Sequence, residues 1–198
     1  MVKTIHLVRH GHHALLGHKL CGRMPGVGLD DQGCRQMARC TDFLLPPPSA
    51  IQSSPQQRTR QSANILAARF GLAVEIVPAM DEIDLGDWTG RSFEELEGDV
   101  AWTRWNHARG SSRPPNGETM QALQARVVRH LEQLRHDDSD GALVIVSHAE
   151  PIRAALLHYS QLRLDDYVAI EVEPASITTL SVDRAGIHIS TFNQRVPA

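Results

Sequence analysis

Residues 5–11, Ile5-His6-Leu7-Val8-Arg9-His10-Gly11, decide how this chain is read. A short apolar run, suited to a buried strand, ends on a guanidinium, an imidazole and a glycine. A cation and an imidazole at the end of a buried strand are poorly placed for packing and well placed to meet an anion. In an open α/β sheet, ligands bind just beyond the carboxyl ends of the strands. Gly11 is expected to turn the chain there through backbone angles that a Cβ forbids. The plainer alternative is a strand that happens to end in polar residues. Two further segments with the same arrangement weigh against it.

The second is Ser53-Ser54-Pro55-Gln56-Gln57-Arg58. Arg58 falls in the first turn of a helix, where the helix dipole disfavours a cation. That placement becomes sensible if Arg58 and the free helix amides bind one anion together. The third is Val146-Ser147-His148-Ala149, at the end of the clearest buried strand, Ala142-Leu143-Val144-Ile145-Val146. Right-handed crossovers put the carboxyl ends of parallel strands along one edge of a sheet. Arg9, His10, Arg58 and His148 therefore converge if the strands they follow are neighbours. Two guanidiniums and two imidazoles without a local carboxylate suit a phosphate, whose oxygens match the planar fork of arginine.

Outward from these segments, hydrophobic periodicity and turn residues give the rest of the order. Residues 3–9 read as a strand, 11–28 as an irregular Gly- and His-rich stretch, and Asp31 to Leu45 as a helix stopped by Pro46-Pro47-Pro48. A strand over 49–53 precedes a helix with Ser54 as N-cap, Pro55 at its first position and Gly71 beyond its end. Residues 74–77 read as a strand. From Pro78 to Asn116 the chain turns irregular, with short helices around 92–96 and 99–108. A long amphipathic helix runs from Glu118 to about Arg135, with Leu123, Val127, Leu131 and Leu134 on one face. A turn over 137–141 leads into the strand at 142–146, and a helix follows over 151–159. Strands are expected near 168–173, 176–182 and 187–192, the last two joined by a hairpin turn at Asp183-Arg184-Ala185-Gly186. Strands alternating with helices, then a hairpin, specify an α/β three-layer sandwich. Its central sheet is mostly parallel with an antiparallel edge strand, and helices cover both faces.

Length and composition agree. The 198 residues fit one domain, 1–198, with an irregular insertion at about 78–118. Hydrophobic residues make up 41% and charged residues 22%, a globular composition. A net charge of −3 gives no general basic surface for nucleic acid, though it leaves room for a local cationic pocket. Cys21, Cys34 and Cys40 are odd in number and lack CxxC spacing, so reduced thiols and a cytoplasmic location are expected. No apolar stretch has the length of a membrane span, and Arg9 and His10 interrupt any signal-peptide core.

Taken together, these pieces resemble the histidine phosphatase superfamily, also called phosphoglycerate mutase-like. The matching residues are Leu7-Val8-Arg9-His10-Gly11, Ser53-Ser54-Pro55 through Arg58, Glu82 through Gly90, Gly117-Glu118-Thr119 and Val146-Ser147-His148, in the family's order from end to end. The resemblance implies that His10 is a nucleophile forming a transient phosphohistidine, and that Arg9, Arg58 and His148 hold the phosphoryl oxygens. Spacing alone does not choose a proton donor among Asp81, Glu82, Asp84 and Asp87. The family pattern of a glutamate followed by Gly-x-Trp-x-Gly points to Glu82, with Gly86, Trp88 and Gly90 in register. The implied activity is hydrolysis of a small phosphorylated metabolite, without cofactor or metal. A cofactor-dependent mutase is the alternative nearest in chemistry. A phosphohistidine protein phosphatase and a non-catalytic phospho-ligand module are further ones.

Where the family continues Arg-His-Gly with an acidic or amide residue and then Thr or Ser, this chain has His12 and His13. Where the mutase branch carries an asparagine, it has Leu16. Arg23 is a candidate substrate contact from the first loop. His12, His13 and His18 lack a clustered carboxylate or cysteine at metal-ligand spacing. The stretch from His12 to Gly28 and the insertion are therefore the expected seat of substrate choice.

Overall fold

Alternation along the strands sorts the core onto two faces of one sheet. In β1 (Lys3–Arg9) and β4 (Ala142–Ser147), Ile5, Leu7, Leu143 and Ile145 point one way, and Val8, Val144 and Val146 the other. The first set packs against α4 (Met120–Arg135) and α5 (Ala149–Tyr159) through Leu123, Val127, Leu131, Ile152 and Leu156. The second packs against α1 (Asp31–Cys40) and α2 (Gln57–Phe70) through Met37, Cys40, Ala63 and Leu66. The computed structural model describes residues 3–137 and 141–196, and over these the chain is a three-layer α/β sandwich. Each fully buried Leu or Val of α4 contributes roughly 1.5–3 kcal/mol relative to exposure, which is what fastens the helix to the sheet.

The sheet has the order β3-β2-β4-β1-β5-β6, with β2 at Pro48–Ser53, β3 at Val74–Ile76, β5 at Ile177–Val182 and β6 at Ile187–Gln194. β3, β2, β4 and β1 run parallel, and the antiparallel edge is the β5–β6 hairpin, paired through β5 to β1. β2, β4 and β1 are neighbours, so their carboxyl ends fall side by side. Arg9 stands directly opposite Ser147, the residue before His148.

Several local expectations are corrected. The first helix ends at Cys40 and tightens into a 3-10 turn over Thr41–Phe43, where the Thr41 hydroxyl donates back to the Ala38 carbonyl. Helix α2 starts at Gln57 with Gln56 as its cap, because the Ser54 hydroxyl is turned to Asp81 and His148 instead. The long helix begins at Met120, capped by Thr119, and α5 already begins at Ala149. Residues 168–173 form no strand. Leu164–Ala169 is 3-10, and the carbonyls of Ile170 and Val172 accept from Arg153 and Arg9 rather than from a neighbouring strand. Gly11 serves a close approach and not a left-handed turn: a Cβ there would lie 2.5 Å from the Gly33 carbonyl oxygen. The expected turn at 137–141 falls largely on residues 138–140, outside the described residues. Among the described residues, no helix is long and apolar enough to cross a membrane.

Candidate active site

The last residue of β1 and the first beyond it carry Arg9 and His10 to the carboxyl edge of the sheet, and the first turn of α2 brings Arg58 beside them. All three line one cavity of about 220 Å³, together with Glu82. His10 is almost fully buried. Its Nδ1–H donates to the carbonyl of Gly11 at 2.8 Å, which leaves Nε2 as the nitrogen with a free lone pair. Burial, then the charges of Arg9 and Arg58, holds the imidazole well below its ordinary range, so it is neutral at neutral pH.

The two arginines are anchored at one nitrogen each. Arg9 Nη1 donates to the Val172 carbonyl at 2.7 Å and Arg58 Nη2 to the Gly22 carbonyl at 2.7 Å. Arg9 Nε and both Arg58 Nε and Nη1 are buried without a hydrogen-bond partner. Buried donors of this kind are costly to leave unpaired. They are therefore a signature of groups held for something other than packing.

Glu82 is the one carboxyl among the four sequence candidates that lines the cavity. Burial, then the nearby charge of Glu150, pushes it up to about 7. The other three are occupied elsewhere. Asp81 accepts from Ser54, Gln56 and the Glu82 amide; Asp84 accepts from the Gly86 amide; Asp87 accepts from Asn116. The Glu82 backbone is braced as well, its carbonyl accepting from Arg23 at 2.8 Å and from Arg126 at 3.1 Å.

His148 stands behind the cavity rather than on its wall, fully buried, with its ring edge-on to His10 at 5.2 Å between centroids. Ser54 donates to Asp81, so its oxygen accepts from His148 Nε2 at 2.7 Å. The remaining nitrogen, Nδ1, lies 3.9 Å from Glu82 Oε2. Burial, then Arg58, lowers its pKa well below the ordinary histidine value. Arg23 does not reach the cavity wall. Its guanidinium is taken up by Glu118 at 3.0 Å, Asp81 at 3.5 Å and the Glu82 carbonyl, and it braces the Glu82 loop.

Of the three first-loop histidines, His12 pairs with Asp30 and His18 is exposed. His13 is buried on the cavity wall, its ring 5.3 Å from His10. Burial, then Arg58 and Arg9, lowers it to about 4. Among the described residues, no cluster of three or more His, Cys, Asp or Glu is arranged to hold a metal ion. The sequence reading missed Arg109 and Glu150, which line the cavity as a 2.8 Å ion pair, and Ser54 and Arg126 as supports. Glu150 follows His148 by two residues, and that proximity to a strand end was the available signal. Arg109 carried none.

The sequence model of the histidine phosphatase superfamily (branch 1) matches residues 5–195. The chain belongs to that superfamily. With the family comes an enzyme of the phosphoric monoester hydrolase type. Among relatives, the uncharacterized protein Rv0525 of Mycobacterium tuberculosis is 32% identical over 184 residues, covering 90% of each chain. The adenosylcobalamin/alpha-ribazole phosphatase of Salmonella typhimurium is 31% identical over 150 residues, covering 72% of each. Among solved structures, Bacillus stearothermophilus YhfR has the same fold with a TM-score of 0.89, at 22% identity over 97% of each chain. The mycobacterial glucosyl-3-phosphoglycerate phosphatase Rv2419c gives 0.85, at 24% identity over 98% of this chain and 100% of its own.

Proposed function

We propose that the protein hydrolyses a small phosphomonoester through a phosphohistidine on His10. The observation that carries this reading is the lone pair of His10 Nε2, directed by the Nδ1–H bond to Gly11, in a cavity shared with Arg9, Arg58 and a carboxyl held near 7. Nε2 attacks phosphorus in line, and the bond to the leaving oxygen breaks as Glu82 gives that oxygen its proton. The unpaired nitrogens of Arg9 and Arg58 meet the equatorial oxygens, where charge stabilisation does most of the catalytic work. A phosphoryl dianion favours the protonated form of His148, whose Nδ1 stands without a partner behind the cavity, 3.9 Å from Glu82 Oε2. In the second half, Glu82 as carboxylate draws a proton from water, which attacks the phosphohistidine and returns His10.

Every step is carried by side chains of this chain, so EDTA is expected to leave turnover unchanged. Mixing the enzyme with a radiolabelled phosphomonoester in EDTA and quenching is expected to trap label on His10 that is lost in acid and stable in base. His10→Ala is expected to fold and to trap none. Label on another residue, or turnover undiminished in folded His10→Ala, removes the nucleophile assignment. Activity that required a bisphosphorylated primer would favour the mutase alternative.

A further inference from the structure

Beyond its phosphoryl end the cavity continues into a chamber walled by the first loop and the insertion. Leu16, Leu20, Leu85, Phe93, Trp102 and Trp105 line it. Phe93 is 41% exposed and its ring lies 6.2 Å from that of Trp102. Trp102 is backed edge-on at 5.4 Å by Trp88, which is buried and in turn packs against Trp105 at 6.2 Å. The exposed aromatic faces are thus mounted on a rigid aromatic base, an arrangement suited to a flat apolar group.

The charged side chains of the chamber are Lys19, Arg109 and Glu150. Lys19 is exposed at its mouth. Arg109 and Glu150 pair at 2.8 Å, Arg109 Cζ lies over the Tyr167 ring at 3.7 Å from its centroid, and Glu150 also holds Arg153. Glu150 Oε2 and the Nε and Nη1 atoms of Arg109 are buried without a hydrogen-bond partner, and Arg109 shows 9% of its side-chain surface, so these atoms present almost no open surface to the chamber. A sugar or polyol lying on the Leu16, Phe93 and Trp102 wall would bury hydroxyls against carbon, a cost that a hydrocarbon does not incur.

Resting on the phosphatase reading above, we infer that the leaving alcohol is apolar and carries an aromatic ring, which the Leu16, Phe93 and Trp102 wall receives. The phosphoryl end then fixes the reaction, and the chamber selects by apolar burial.

The test is a series of monoesters whose leaving alcohols have similar acidity, so that binding and not leaving-group chemistry is read. It comprises ethyl, butyl, hexyl and benzyl phosphate against glycerol 1-phosphate and a hexose 6-phosphate. The expected kcat/KM rises about fourfold per added methylene until the chamber is filled. Benzyl phosphate is expected to exceed glycerol 1-phosphate by about 10- to 150-fold. Phe93→Ala, and independently Leu16→Gln, are expected to shrink that ratio several-fold, because each acts on the benzyl ester more than on the glycerol ester. Equal kcat/KM along the series, preference for the hydroxylated esters, or a ratio unmoved in both folded variants overturns the inference while turnover itself leaves the phosphatase reading standing. Absence of both turnover and labelled His10 with every ester overturns the two together.

Discussion

At the phosphoryl end, Arg9 and His10 leave a strand hydrogen-bonded on both sides and Arg58 stands in the first turn of a 14-residue helix. At the chamber end, Phe93 precedes a three-residue 3-10 turn, Trp102 lies in an eight-residue helix and Arg109 in the loop after it. The first end is stiff and electrostatically costly, with buried nitrogens of Arg9, Arg58, His13 and His148 left without partners. The second is mostly an aromatic and aliphatic wall, with its unpartnered polar atoms, Arg109 Nε and Nη1 and Glu150 Oε2, confined to the ion pairs that Glu150 makes with Arg109 and Arg153. Chemistry that must be placed to a fraction of an ångström is held by the sheet. Selection, which needs only shape and apolar area, is left to segments that can be rebuilt without disturbing it.

The sharpest way to break this division is Arg58. Arg58→Met is expected to lower kcat/KM by about 10³-fold, the scale of losing a preorganised donor to developing charge. The same variant is expected to melt no lower than the parent, because a buried guanidinium with two unpaired nitrogens costs stability that a methionine of similar volume does not. Steady-state kinetics and a thermal midpoint on one preparation decide it. A large loss of stability with modest loss of rate would mean that Arg58 is a structural residue and that the two ends do not differ as described.

Glu82 sharpens the same contrast through pH. It must be protonated to give its proton to the leaving alcohol, and it titrates at about 7. As pH rises through that value the acid form disappears, so kcat/KM is expected to fall. His10 is already neutral there, since burial, Arg9 and Arg58 hold it well below the ordinary histidine value. Glu82→Gln is expected to lower kcat/KM on alkyl esters by about 10²–10⁴-fold and to erase the falling limb near 7. A limb that survives in the variant belongs to another group.

How much of this was legible in the sequence follows the same line. Strand ends are written locally: an apolar run closing on Arg9-His10, or on Ser147-His148, announces where a side chain will stand once the strand is paired. The order β2-β4-β1 then brings them together. The segment from Ser54 to Gln57 was misread because capping is a competition. The Ser54 hydroxyl suits a helix N-terminus, and only the folded site shows that Asp81 and His148 take it. Residues 168–173 read as a strand by composition, yet their carbonyls serve Arg9 and Arg153, partners far away in sequence. Arg109 was invisible for the same reason. Of its neighbours only Trp105, four residues before it, is local; Glu150 and Tyr167 lie far along the chain, and no local pattern encodes their meeting.

The smallest expected effect is on stability, again at Glu82. Below about 4.5, the ordinary value, the carboxyl is protonated whether the chain is folded or not, and the group adds no pH dependence. Between there and about 7 the unfolded chain releases the proton while the folded chain keeps it, so stability falls as pH rises. Above that, the cost levels off on the order of 3 kcal/mol, less whatever the surroundings recover by relaxing. A glutamine in its place carries no such cost. The midpoint of Glu82→Gln is therefore expected to match the parent near pH 4 and to rise above it by up to about 6–12 °C at pH 8, each kcal/mol being worth roughly 2–4 °C in a chain of this size. Thermal melts of both proteins across that range measure it. Parallel curves would mean that Glu82 titrates like a solvated carboxylate. The electrostatic cost of the phosphoryl end would then rest on the unpaired nitrogens of Arg9 and Arg58 and not on Glu82.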